Sequence, residues 1–503
     1  MMETLVHLLQ PAVFIPWMLA MMFGIFAGAT PGLTATMATA LIVPITYYMD
    51  PVAGLAMIIG ATFTAIFAGD IPATFLRIPG TPASSAAILD GFEMNRQGRG
   101  SLALTLDLLC SSLGGLIGVG MLILIAPPLA RVALRFTNYE YFWLGIFGLS
   151  MSAVVSRGNT IRGLVAAALG LLIATVGIDV ISGQPRFTFG QVELLSGIGF
   201  IPAMIGLFGI SEVLKLASSK DSMTAPSITE KVKVSILKVL PIIWRHKLLV
   251  LRSAVLGTFV GALPGAGADI AAWVSYGIAK KTSREPEKFG TGCEEGVIAP
   301  TSANNAALGG AWIPALVFGV PGDAITAIVV GAMLMYGLRP GPLIFQQSRE
   351  IVDSIFAIAI ITQFLLLIAG LVGIRVFSRI LRLPRNAVMV IVLLFSIVGS
   401  YALQNSFFDV YIMIAFGLVG FYMEKKTIPL APLILGLILG PMVEENLRVG
   451  LVKTHGNFMP FITRPISLLL ASLLLLTLLG GPLLGFARRM IMGRNDNGGG
   501  APE

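Results

Sequence analysis

Long apolar runs separated by short polar stretches cover most of the chain. LIGVGMLILIAPPLA, IFAIAIITQFLLLIAGLVGI and PISLLLASLLLLTLLGGPLLGF are examples, and runs of spanning length recur, which predicts a series of transmembrane helices. Several runs are broken within their length. FAGATPGLTATMATALIVPI (residues 26–45) contains Pro31-Gly32, and RIPGTPASSAAILDG (77–91) contains two prolines, a glycine, small hydroxyl residues and Arg77. Broken backbone at membrane depth leaves amides and carbonyls unpaired. It is tolerated only where protein, ions or substrate satisfy them.

The breaks repeat. Residues 26–45 resemble FVGALPGAGADIAAWVSYGI (259–278), with Gly28-Ala29 and Pro31-Gly32 matching Gly261-Ala262 and Pro264-Gly265. IPGTPASSAA (78–87) has a counterpart in VPGDAITAIV (320–329), which sets Pro79-Gly80 against Pro321-Gly322. Each half thus has one break and, about fifty residues later, another. The candidate helix breaks are Pro31, Gly32, Pro79, Pro264 and Gly265. Between the halves lies a basic polar stretch, LASSKDSMTAPSITEKVKVSILKVLPIIWRHK, with an amphipathic segment (Val232 to Ile243) expected at the membrane surface. The expected division is a first transmembrane repeat (1–215), this connector (216–247), a second repeat (248–490) and a flexible tail (491–503).

Composition agrees: 56% of the 503 residues are hydrophobic and 12% charged, too little polar surface for a soluble globule. The net charge of +8 is what basic cytoplasmic loops produce and calls for no nucleic-acid partner. The two cysteines, Cys110 and Cys293, build neither a disulfide framework nor a metal site. No Lys or Arg precedes Arg77, so no cleaved signal peptide is expected.

Charge also predicts orientation. The connector, Arg96 and Arg99, the arginines at 375, 379, 382 and 385, Lys425-Lys426 and the C-terminal arginines are placed inside. The segment after the second break then falls inside in the first half and outside in the second, so the repeats are expected to be inverted. The N-terminus is placed in the periplasm and the C-terminus in the cytoplasm of a bacterial inner membrane. One cluster is ambiguous: KKTSREPEKF falls outside if residues 248–279 form one span, and inside if the chain doubles back at Pro264.

The fold class is therefore an all-α polytopic membrane protein with inverted repeats and interrupted or re-entrant helices, of secondary-transporter type. The site is expected at the midplane between the breaks. Thr81 suits an N-cap and Pro82 the first helical position, so the next half-helix is expected to aim free amides at an anion. Arg77 adds a bidentate donor for a carboxylate. In APTSANNAALGG, Thr301, Ser302, Asn304 and Asn305 are suited to carboxylate or Na⁺, or else to hydrogen bonds between helices. No HExxH, GxSxG or Walker A motif is present, and His7, His246 and His455 lie near span ends. An anion channel or an intramembrane enzyme is the competing class.

The stretches GATPGLTATMATALIVPITYYMDPVAGLAM, PGTPASSAAILDGFEMNRQGRG, GALPGAGADIAAWVSYGIAKKTSREPEKFGTGCEEGVIAPTSANNAALGGAWIPALVFGVPGDAITA and GLRPGPLIF resemble, in order and over nearly the whole chain, the large membrane subunit (TctA) of the tripartite tricarboxylate transporters. The resemblance implies a small four-helix membrane subunit, a periplasmic solute-binding protein, and import of a small organic carboxylate such as citrate on a cation gradient. It also implies an elevator-like movement. No cofactor is expected beyond Na⁺ as a coupling ion.

The chain departs from the family at Thr301 (commonly Glu), Asp269 (commonly Thr), Asp323 (usually Ser), and at Asp70 and Arg77, where a Gly-Ser pair and an Asn are usual. The partner of Arg77 is either a substrate carboxylate, which is read first, or Asp70 in a permanent pair. Asp323 is read first as an N-cap, and Asp269 as a functional intramembrane carboxylate. The candidate substrate residues are Arg77, Gly80, Thr81, Ser84, Ser85, Asn304, Asn305, Pro321 and Gly322. The coupling-ion candidates are Asp269, Thr301, Ser302 and Asp323. Glu294 and Glu295 are expected in surface pairs at the membrane edge.

Overall fold

The computed structural model describes residues 2–30, 33–155, 160–179, 181–218, 236–380 and 385–478. Almost all of them are helical. The only sheet among them is a hairpin pairing Gly177–Ile178 with Pro185–Arg186. Among the described residues seven helices are long and apolar enough to cross a membrane, from Pro11–Ala29 to Leu430–Lys453, which agrees with an all-α polytopic protein. Shorter apolar helices such as Ala35–Thr46 and Ala324–Met335 lie among them.

The Pro51–Ala68 helix runs through the centre, its residues from Val52 to Ala68 all buried. Asp50 starts it by accepting from the Val52 amide at 2.9 Å, with Pro51 at the first helical position. Glycines four apart then set the packing. A Cβ on Gly24 or Gly28 of the Pro11–Ala29 helix would overlap the carbonyls of Ala61 or Ala65. One on Gly257 or Gly261 of Lys247–Gly261 would overlap those of Ala303 or Ala307 in Glu294–Phe318. Gly114 and Gly118 of Gly100–Ala133 meet Ser302 and Ala306 in the same way and bind the first half to the second. In lipid no hydrophobic force draws helices together, so this backbone-on-backbone approach supplies the contact.

In the second half the first break reverses the chain. Lys247–Gly261 and Gly267–Thr282 are separate helices, and Arg252, near the start of one, donates to Thr282 Oγ1 at the end of the other, at 2.7 Å. Of the two expectations for KKTSREPEKF, doubling back at Pro264 is the one observed. The loop returns to the end of the molecule that carries Arg96 and Arg99: Gln97 donates to the Thr291 carbonyl and Arg99 to that of Gly292, each at 2.7 Å.

Asp90 fixes this loop from the first half. Fully buried, its carboxyl accepts from the amides of Gly290, Gly292 and Cys293, each at 2.9 Å, and from the Tyr276 hydroxyl at 2.9 Å. Gly290 and Gly292 have φ of +88° and +93°, which turns successive amides toward one point. Arg245 pairs with Glu294 at 2.6 Å, and His246 lies 3.6 Å from Glu295. Burial lowers the His246 pKa, so the ring faces these acids uncharged at neutral pH. Of the pairs expected for Glu294 and Glu295, the one of Glu294 with Arg245 is present.

Pro31 and Gly32 lie outside the described residues, as do 219–235 of the connector and the whole 491–503 tail. Beyond that first break, Thr34 caps Ala35–Thr46 by accepting from Met37 at 3.1 Å. The described part of the amphipathic segment forms the Ile236–Arg245 helix. It packs Val239 and Ile243 beside Leu106 and Leu109 and leaves Leu237 and Trp244 exposed.

Candidate functional site

In each half the second break is in contact with the end of the first break's leading helix. A Cβ on Gly322 would lie 2.6 Å from the Gly261 carbonyl, and the Gly265 amide donates to the Gly322 carbonyl at 2.7 Å. In the first half, Gly80 abuts the Gly28 carbonyl more closely still, and its amide donates to the Gly69 carbonyl at 3.0 Å. Part of the unpaired backbone at each break is thus satisfied by backbone from elsewhere in the same half.

The two second breaks lead into different structures. Asp323 caps Ala324–Met335 with a reciprocal box: the Thr326 amide donates to Asp323 Oδ1 at 2.8 Å, and the Asp323 amide to Thr326 Oγ1 at 2.9 Å. The cap role given first to Asp323 is observed. After Gly80 no such half-helix forms. Pro82–Ser85 is a single 3₁₀ turn, and the next α-helix starts only at Ile88. Thr81 Oγ1 meets Ser84 Oγ at 2.9 Å and caps no amide. The expected half-helix and its dipole are absent there, because a single four-residue turn does not align enough peptide units to build one.

The Asp70–Arg77 pair is also corrected. Asp70–Leu76 ends at Arg77, whose left-handed φ of 59° turns it out of the helix. Arg77 is exposed, its guanidinium 5.5 Å from the Phe92 ring centroid, while Asp70 is buried among other groups. Arg77→Gln is therefore expected to change stability by less than about 1 kcal/mol, the size of an exposed cation–π contact. Thermal unfolding of the purified protein measures it, and a loss of several kcal/mol would reinstate a buried ion pair.

Thr81, Ser84 and Asn304 do come together, around Asp70. Asn304 Nδ2 approaches Asp70 Oδ2 at 3.5 Å, and the hydroxyls of Thr81 and Ser84 lie against Gly69, next to Asp70 in the chain. Thr301, Ser302 and Asn305 are fully buried on the same helix as Asn304. Thr301 bonds back to the Val297 carbonyl at 2.8 Å, and the side chains of Ser302 and Asn305 have no hydrogen-bond partner. Ser85 is half-buried. Pro321 and Gly322 belong to the other break, beside Gly261 and Gly265. Sequence reasoning missed Asp107, which faces Asp70 from Gly100–Ala133. The signal was a lone carboxylate in the apolar run ALTLDLLCSS.

A cavity of about 850 Å³ opens at the second-half break, with Gly265, Ala266 and Asp269 on one side and Lys215, Glu424 and Lys425 on another. Lys215 is held between Glu212 at 3.2 Å and Glu424 at 3.7 Å. The volume is that of a small-molecule site, and it has both signs of charge on its wall.

The profile described as the tripartite tricarboxylate transporter TctA family matches residues 14–435. An uncharacterised 52.8 kDa protein of the TAR-I ttuC′ 3′ region of Agrobacterium vitis is 35% identical over 466 residues, 91% of each chain. An uncharacterised protein of the TAR-II ttuC′ 3′ region of the same organism is 36% identical over 211 residues, 42% of this chain and 87% of its own. No solved structure matches.

Proposed function

The chain belongs to the tripartite tricarboxylate transporter TctA family, and from that premise we propose that it is the large membrane subunit of a secondary transporter that imports a small, tricarboxylate-like organic acid on a Na⁺ or H⁺ gradient. Its partners are a small four-helix membrane subunit and a periplasmic solute-binding protein that delivers the substrate. It works in a bacterial inner membrane, with two inverted halves, the N-terminus in the periplasm and the C-terminus in the cytoplasm. It translocates its substrate without transforming it chemically.

The observation that supports this reading is the contact, in each half, of the second break with the helix leading to the first, with a cavity of about 850 Å³ against the second-half break. A channel needs no such pairing. Asp269 is the coupling candidate on the cavity wall, and Lys425 offers positive charge to an entering carboxylate, Lys215 being held by Glu212 and Glu424.

Vesicles carrying this chain with its small subunit, supplied with the binding protein and radiolabelled citrate, test the proposal. Saturable accumulation that requires both the binding protein and a cation gradient is expected; unsaturable flux without the binding protein would favour a channel. Asp269→Asn is expected to abolish gradient-driven uptake while the chain still inserts and binds its small subunit. Unaltered cation dependence in that variant would leave Asp269 a structural residue.

A further inference from the structure

A second cavity, of about 720 Å³, lies toward the opposite end of the molecule. Glu294–Phe318 begins beside Arg99, runs for 25 residues, roughly 37 Å of helix, and ends with Phe318 on this cavity's wall. In the orientation proposed above, that end is periplasmic. The two cavities share two helices. Leu430–Lys453 gives Leu430 and Ala431 to the first and residues from Leu437 to Arg448 to the second. The Phe200–Ser218 span gives Phe208, Lys215 and Ser218 to the first and Phe200 to the second. Between the cavities this seam is closed. Residues 432–436 and 201–207 are all buried, Phe200–Met204 packs against Leu430–Lys453, and only about 9 Å of helix separates Ala431 from Leu437. Ala324–Met335, which leaves the second-half break, packs on both and brings Val330 and Leu334 to the second cavity. Within the Phe200–Ser218 span, Ile205–Ile210 is wound as a π-helix, a form that is frequent at functional sites.

The charges on the second cavity's wall divide into committed and free groups. Arg186 donates to Glu444 through both terminal nitrogens, and Arg448 donates to Asp179 at 2.7 Å and to Glu444 at 3.0 Å. Asp179 also accepts from the Ile181 amide at 3.0 Å. This network ties the Gly177–Arg186 hairpin to Leu430–Lys453 and balances its own charges, two of each sign. Two charged side chains of the wall remain, Arg339 and Glu445. Both are exposed, and neither has an ion-pair partner among the described residues. Backbone sets Arg339 in place. Its loop turns at Gly337, with φ of +75°, and is pinned where the Gly341 amide donates to the Leu316 carbonyl at 2.9 Å.

A guanidinium is a rigid planar fork that fits a carboxylate through two parallel hydrogen bonds. Around Arg339 the wall is apolar at Ile178, Ile198, Phe200, Val330 and Leu334. A free cation in a largely apolar space of small-molecule size suits a small organic acid, with its carbon skeleton on the walls and a carboxylate on the arginine. Glu445 opposes a ligand of that sign. We propose that the second cavity is a carboxylate-binding site, with Arg339 as its anion-binding residue and Glu445 as the charge that limits its affinity, and that substrate passes from it along the closed seam to the first cavity. The passage rests on the transport reading above; the binding site is tested without transport.

Leu334→Cys places a thiol on the second cavity's wall at a position that is 43% exposed, so no core contact is lost. The chain in lipid nanodiscs is treated with a charged thiosulfonate reagent, and peptide mass spectrometry reads the label at residue 334 separately from Cys110 and Cys293. Citrate or succinate is expected to slow that labelling. Adding Arg339→Gln is expected to raise the concentration for half-protection by roughly tenfold, the loss of a charge-assisted partner. Adding Glu445→Gln is expected to lower it about twofold, the removal of a like charge. Both side chains are exposed, so a merely structural role predicts no such opposite shifts. No protection by either acid, or the same half-protection with and without Arg339, overturns the site. In vesicles supplied with the small subunit and the binding protein, Arg339→Gln is expected to raise the KM for citrate uptake by a similar factor; an unchanged KM overturns the passage. If wild-type vesicles accumulate no citrate under any gradient, the transport reading and the passage fail together, and the labelling result still decides the site.

Discussion

Asp90→Ala is expected to destabilise the folded chain by about 3–5 kcal/mol, the cost of removing one member of a buried, fully engaged polar constellation. The substitution leaves the amides of Gly290, Gly292 and Cys293 and the Tyr276 hydroxyl facing a space with no acceptor. Each orphaned donor is worth roughly 1–3 kcal/mol before relaxation. Water entering at the loop recovers part of that, which is why the total is below the sum. Asp90→Asn keeps one acceptor oxygen for the three amides and loses less. Tyr276→Phe removes one donor and is expected to cost about 1 kcal/mol. Thermal unfolding in detergent, with folded yield after extraction, ranks the three; an alanine variant as stable as the parent would show that the loop is held by other means.

The second large effect is expected at the glycines where breaks meet. A methyl group on Gly322 would lie 2.6 Å from the Gly261 carbonyl and 2.7 Å from the Ala311 Cα, and one on Gly80 would overlap the Gly28 carbonyl outright. The obstacles are backbone atoms, which have no alternative rotamer, so the helices themselves must separate. Gly322→Ala and Gly80→Ala are each expected to cost about 1–3 kcal/mol as overpacking, the latter more, and to abolish citrate uptake in vesicles. Gly120→Ala is the control: a Cβ there meets nothing within 4 Å, and the helical preference of alanine adds up to about 1 kcal/mol. Full uptake by the Gly80 and Gly322 variants would mean that the break contacts are dispensable for transport.

The helical spans, the breaks at Pro79, Pro264 and Pro321 and the capping of Ala324–Met335 were legible in sequence, because each depends on local chemistry. Asp323 with Thr326 three residues on is a cap wherever the chain folds. The alternative of an Asp70–Arg77 pair failed for a definite reason. Seven residues make two helical turns and would put both side chains on one face, but the helix stops at Leu76 and the left-handed Arg77 swings outward. The turn after Gly80 failed because Thr81 and Ser84 satisfy each other, which removes the incentive to cap a longer helix. Asp107 was the harder case. Its meaning depends on which helix crosses Asp70, and that is fixed by Gly114 and Gly118 lying against Ser302 and Ala306, a contact between segments nearly two hundred residues apart.

The Asp90 anchor also imposes an order on biogenesis. Its most distant donor, the Cys293 amide, lies 203 residues further along the chain. At about 5–20 residues per second a ribosome needs roughly 10–40 s to supply it. Throughout that interval the first half resides in the bilayer with a carboxyl group whose donors have not been made, so the nascent protein cannot close this end one half at a time. The Gly290–Cys293 segment is the clasp, and it shuts only after the second half has begun to insert.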